Sequence, residues 1–159
     1  MSKAMTSVIY LIATFLLLPA QSFGAGESDT QEYDAALADK LGADDYGMRA
    51  YIFVTLLTGP AEIADADKRD ELFRGHFSNM GKLAEEGKLV LAGPFMEAEP
   101  KRGLFIFDVS TIEEARTLVE TDPAVAAGIF EAKYTKYYGS AALKMVNEIH
   151  GTIQKSAID

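Results

Sequence analysis

The chain has two histidines, His76 and His150, and no cysteine, so few side chains can move a proton near neutral pH. His76 stands in an apolar run, flanked by Leu72, Phe73, Phe77 and Met80. An imidazole held against apolar surroundings can be tuned to act as a general acid or base, and a carboxylate partner would fix its tautomer. The same position also suits a core histidine with one nitrogen satisfied. Asp122 is the best partner: it ends the second long helix expected below, and it precedes Pro123, where it caps the next turn and keeps lone pairs to spare. Tyr51 and Phe95, the latter just after Gly93-Pro94, are candidates to line an apolar cleft. Arg102 suits an anionic group on a substrate, or a solvated surface position. His150 lies in a polar stretch and reads as a surface residue.

The remaining chemistry is narrowed by absence of motif. There is no phosphate-cradling glycine loop, no nucleophile elbow and no metal-ligand spacing in the sequence. Without cysteine, thiol catalysis, disulfides and zinc–thiolate sites are excluded. The expected catalytic residues are His76 and Asp122, the expected substrate-binding residues are Tyr51, Gly93, Pro94, Phe95 and Arg102, and no metal or cofactor is expected.

These residues need a frame to bring them together. Met48 to Leu57 is rich in β-branched and aromatic residues and stops at Gly59-Pro60, which predicts a strand. Both of its alternating sets are apolar, Ile52, Val54 and Leu56 on one side, Tyr51, Phe53 and Leu57 on the other. Asp67 to Glu86 carries Leu72, Phe73, His76, Phe77, Met80, Leu83 and Ala84 at helical spacing. A second strand over 89–92 closes at Gly93-Pro94, and a third follows over 103–108. Ser110 and Glu113 predict a capping box that opens a second helix with the stripe Ile112, Ala115, Leu118 and Val119. Asp122-Pro123 restarts the chain before a fourth strand over 129–138. Ser140 then caps a final helix with the stripe Ala142, Val146, Ile149 and Ile153.

The order β-α-β-β-α-β predicts an α+β, ferredoxin-like domain, an antiparallel sheet with both helices on one face. The other face is apolar too, so something must cover it. A second copy of the sheet is the simplest cover, making a homodimer, and the final helix is the alternative.

Residues 1–24 read as a secretory signal. Lys3 precedes an apolar run from Val8 to Leu18, and Ser22-Phe23-Gly24 puts small residues before a cut after Gly24. The run is short of the roughly 20 apolar residues that a spanning helix needs. No cysteine stands near the cut to make a lipoprotein. A periplasmic or secreted location follows, with no stable membrane association after cleavage. Residues 25–47 form a polar extension in which Tyr33, Leu37 and Leu41 predict a short helix ended by Gly42. Residues 48–138 form the ferredoxin-like domain and 139–159 the C-terminal helix. Fifteen basic against 24 acidic residues give a net charge of −9, which argues against nucleic acid or anionic lipid as a partner. A small-molecule ligand remains.

The run from His76 through Gly87 to Pro94, with Glu113-Glu114-Ala115 and Asp122-Pro123, resembles the YCII-related domain over about residues 48–138. The resemblance implies the ferredoxin-like dimer of the dimeric α+β barrel group. It also implies a His–Asp pair in a small cleft, carried here by His76 and Asp122. Some members of that family act in the breakdown of chlorinated aromatic compounds, and related barrels handle lactones and phenolic rings, while the family as a whole has no agreed reaction. The chain departs from the pattern by its leader, its 25–47 extension and its longer C-terminal helix. Two functions fit: an exported enzyme doing proton transfer, elimination or isomerisation, or a non-catalytic dimeric module that binds a small ligand or partner.

Overall fold

The computed structural model describes residues 32–97 and 99–156, so the expected leader lies outside the described residues. Four strands form one antiparallel sheet: β1 (Met48–Thr58), β2 (Leu89–Pro94), β3 (Lys101–Phe107) and β4 (Phe130–Ser140). Their order across the sheet is β2-β3-β1-β4, the ferredoxin-like arrangement. Val54 pairs with Phe105 on β3 and with Tyr134 on β4, which fixes the register at the centre.

Two long helices and a short one cover one sheet face: α2 (Ala66–Glu85), α3 (Ile112–Val119) and α4 (Pro123–Ala126). Asp65 caps α2 by accepting the Lys68 N–H at 3.1 Å. The main core lies between these helices and the even-numbered set of β1. It joins Ile52, Val54 and Leu56 with Phe105 and Phe107 from β3, Leu83 from α2, and Ala115 and Val119 from α3. The expected stripes of both long helices are therefore the faces they bury.

The capping box of α3 sits one residue later than expected. Thr111, not Ser110, is the N-cap, and it accepts the Glu114 N–H at 3.1 Å while Glu114 accepts the Ser110 N–H at 3.3 Å. Both readings satisfy the spacing rule, and Val109, just before the cap, is buried.

The opposite sheet face carries a second, smaller cluster of Tyr51, Val90 and Ile106, with Phe53, Leu91, Leu104 and Leu143 packed against it. An irregularity in pairing between Leu89 and Leu91 lets both Val90 and Leu91 turn to this side. The cover here is the C-terminal segment. It begins as a 3-10 helix over Ala141–Met145 and only then becomes α5 (Val146–Ile153). Ser140 caps the 3-10 helix, not an α-helix. Asn147 Nδ2 donates to the Leu89 carbonyl at 2.7 Å, and Lys144 pairs with Asp108 at 3.3 Å. The expected buried stripe is not buried: Ala142 is exposed, and Ile149 and Ile153 are 53% and 74% exposed. The tighter 3-10 winding throws the 3.6-residue phase out of step.

The extension before the domain forms α1 (Ala35–Leu41), ended by Gly42 at φ +65°, where left-handed backbone favours glycine. Leu41 is buried but Tyr33 is exposed. Arg49 ties α1 to the domain by donating to the Leu41 carbonyl and to Asp108, both at 2.5 Å. No helix among the described residues is long and apolar enough to cross a membrane.

Candidate active site

The amphipathic spacing of α2 turns His76 toward the sheet, and Asp122 meets it from the turn between α3 and α4. His76 Nδ1 lies 2.6 Å from Asp122 Oδ2. The other carboxylate oxygen, Oδ1, accepts the Ala124 N–H at 2.9 Å and so caps α4. One side chain thus fulfils both roles. With Asp122 as the carboxylate, Nδ1 carries the hydrogen and donates it, which leaves the lone pair of the ring on Nε2.

The pair is enclosed. His76 is 7% exposed and Asp122 1%. Four phenylalanines surround the imidazole, with ring centroids 5.3 Å away for Phe77, 5.4 Å for Phe130, 6.0 Å for Phe105 and 6.2 Å for Phe73. Phe105 and Phe130 form the floor from β3 and β4, and Phe73 and Phe77 flank the ring from α2. Among the described residues, Arg49 Nε is the fully buried side-chain nitrogen or oxygen left without a hydrogen bond. Nε2 of His76 has no hydrogen-bond partner among the described residues. Phe73 and Phe77 also line, with Asp70 and Arg74, an open depression of about 300 Å³ on the α2 side, and neither His76 nor Asp122 is part of that lining.

The other expected site residues do not join this pair. Tyr51 belongs to the odd-numbered set of β1, on the far face from His76, and is 1% exposed. Its hydroxyl donates to the Ser140 carbonyl at 3.0 Å, and burial pushes its pKa up to about 12. Because α2 covers the even-numbered set, Tyr51 cannot line a cleft with His76. Gly93 and Pro94 pair with Leu104 and Gly103 at the end of the β2–β3 hairpin, and a Cβ on Gly103 would sit 2.9 Å from the Gly93 carbonyl oxygen. Phe95 lies half-buried under Lys101, whose ammonium is 6.0 Å from the ring centre. Arg102 is exposed and pairs with Glu99 at 3.1 Å, the solvated alternative. Among the described residues, none of these hydrogen-bonds or stacks with His76 or Asp122. His150 is exposed, as expected. Phe105 and Phe130 line the imidazole and were missed by sequence reasoning; the alternation of β3 was the signal for Phe105.

A family model described as the YCII-related domain matches residues 52–136. No curated protein matches the chain in sequence. Among the solved structures that match is 5-chloro-2-hydroxyhydroquinone dehydrochlorinase from Burkholderia phenoliruptrix AC1100, in complex with 2,5-dihydroxybenzoquinone. It is 18% identical, with a TM-score of 0.41, over 54% of this chain and 92% of that one.

Proposed function

This chain belongs to the YCII-related domain family, and from that premise we propose that it is a small exported enzyme in which His76 serves as general acid and base, oriented by Asp122. The observation that carries the reading is the asymmetry of the imidazole. Nδ1 is committed to a buried carboxylate at 2.6 Å, while Nε2 is free of protein partners among the described residues. Nε2 takes a proton from the substrate, and the resulting imidazolium is stabilised by Asp122 through Nδ1–H. The same Nε2–H then returns the proton at a second position or to a leaving group. Proton transfer, elimination and isomerisation of this kind need no cofactor. The phenylalanine walls suit a flat apolar ring, an aromatic or lactone-like compound.

The test is a thermal-shift screen of the protein against small hydroxylated aromatic compounds and lactones. A ligand at about 100 times its Kd adds about 2.7 kcal/mol of stability. The reading expects stabilisation by ring compounds in the wild type and its loss in His76→Gln. A hit that survives His76→Gln unchanged would place binding elsewhere.

The tightness of the aromatic enclosure favours a second reading, a non-catalytic dimeric module in which the pair is a buried structural bond. Dimerisation belongs to both readings. The part of the far sheet face that the C-terminal segment leaves open carries half-buried Phe53, with Tyr137 exposed beside it, and Ile149 and Ile153 stand exposed on α5. A second copy is the proposed cover. Export is proposed from the leader alone. Intact-mass measurement of the periplasmic or secreted material should give a chain beginning near Ala25, and a full-length chain retained with membranes would overturn it.

A further inference from the structure

Gly75 occupies the middle of α2, where glycine is disfavoured relative to alanine because it loses more backbone freedom on folding. A Cβ built on it would lie 2.8 Å from Pro123 Cγ and 3.2 Å from Pro123 Cβ. Gly81, on the same helix, would meet nothing within 4 Å. The two glycines therefore differ: only at Gly75 does the missing side chain let another element approach. The element that approaches carries Asp122.

The contacts run in register along α2. Gly75 meets Pro123, His76 meets Asp122, and one turn on Asn79 meets Thr121, whose hydroxyl proton is shared between the Leu118 carbonyl at 2.6 Å and Asn79 Oδ1 at 3.1 Å. The His76–Asp122 bond is thus bracketed by a close backbone approach on one side and a side-chain hydrogen bond on the other. We propose that Gly75 is a positioning residue, which sets the α2–α4 separation at which His76 Nδ1 and Asp122 Oδ2 stand 2.6 Å apart, with Asn79 and Thr121 holding the far side. Ordinary van der Waals contact begins at 3.4 Å. A methyl group at residue 75 therefore displaces Pro123 by roughly 0.6 Å, and Asp122 moves with it. That takes the His76–Asp122 contact to the outer edge of hydrogen-bond range, about 3.2 Å. The bearing on catalysis rests on the acid–base reading above; the geometry does not.

The test reads the hydrogen bond itself and needs no substrate. In wild-type protein, proton NMR should show the Nδ1 proton of His76 as a strongly downfield resonance protected from exchange. Gly75→Ala should lose that resonance or move it upfield, as a bond lengthened from charge-assisted to marginal requires. Gly81→Ala, which gains the same helix propensity, should leave it in place. Gly75→Ala combined with Pro123→Ala removes the Cγ atom that clashes and should restore it. Should Gly75→Ala fail to fold, Asn79→Ala reads the same bracket from its other side, with faster exchange of the same proton. An unchanged resonance in Gly75→Ala, or a loss that Gly81→Ala reproduces, would overturn the proposal, whatever the screen for ligands finds.

Discussion

Replacing Asp122 by Asn separates a functional pair from a structural one, because the substitution keeps the shape and reverses the hydrogen-bond polarity. The Asn oxygen still accepts the Ala124 N–H that Asp122 Oδ1 accepts at 2.9 Å, so α4 remains capped. Its amide group then faces His76 Nδ1 in place of Oδ2. An amide donates, so the neutral ring must accept at Nδ1 and carry its hydrogen on Nε2. The bond survives as a neutral one, and the difference between a charged and a neutral hydrogen bond is about 1 kcal/mol. Urea unfolding followed by circular dichroism should show a loss of that size. Function should fall much further. Nε2 no longer offers a lone pair, and the contribution of a positioned acid–base group is roughly 10²–10⁴-fold in rate. Long-range proton–nitrogen NMR of the ring should report the switch from Nδ1–H to Nε2–H, with His150 the only other imidazole in the spectrum. A stability loss of several kcal/mol with an unswitched tautomer would refute the reasoning and make the pair a core hydrogen bond.

Three further outcomes test the surroundings. Phe53→Asp places a charge on the open far face and should shift sedimentation from dimer to monomer with the fold kept. Phe105→Asp instead puts an unpaired charge into the helix-side core beside His76, costs several kcal/mol, and should unfold the domain. A wild-type monomer would contradict the dimer. Tyr51 supplies a pH dependence: its folded value is raised to about 12 from an unfolded value near 10, so the folded state binds the proton more tightly. Its contribution is complete below pH 10 and is lost as pH rises from about 10 through 12, at most about 2–3 kcal/mol. Urea midpoints over that range should fall more steeply in wild type than in Tyr51→Phe, and parallel curves would contradict the assignment.

The element order is legible in the sequence because its signals are clear: a run of β-branched and aromatic residues in Met48–Leu57 stopped by Gly59-Pro60, and a single helical stripe from Leu72 to Ala84. The His76–Asp122 approach is legible for a related reason, since the topology lays both helices on one face and the Asp-Pro pair marks where the second one turns. What is not legible depends on tertiary choice. Alternation puts Tyr51 and Ile52 on opposite faces, but only the packing of α2 decides which face His76 meets. Ser110 and Thr111 are both capping residues with an acid three positions on, so local chemistry is degenerate there. The last helix carries an apolar stripe in sequence, but a stripe does not state that anything covers it, and the 3-10 start changes the period that the stripe assumes. Gly75 was visible as a glycine inside a helix; its reason, Pro123, lies 48 positions along the chain and only the fold brings it near.

The central claim is that His76 Nε2 moves protons on a small ring compound. It is tested most directly by incubating the protein with hydroxylated aromatics and lactones in deuterated water and measuring conversion or deuterium incorporation by NMR. The account predicts that wild-type protein converts or exchanges at least one compound, and that folded His76→Gln does so at least about 100-fold more slowly. Equal rates in the two proteins, or no conversion and no exchange across the panel, would contradict it.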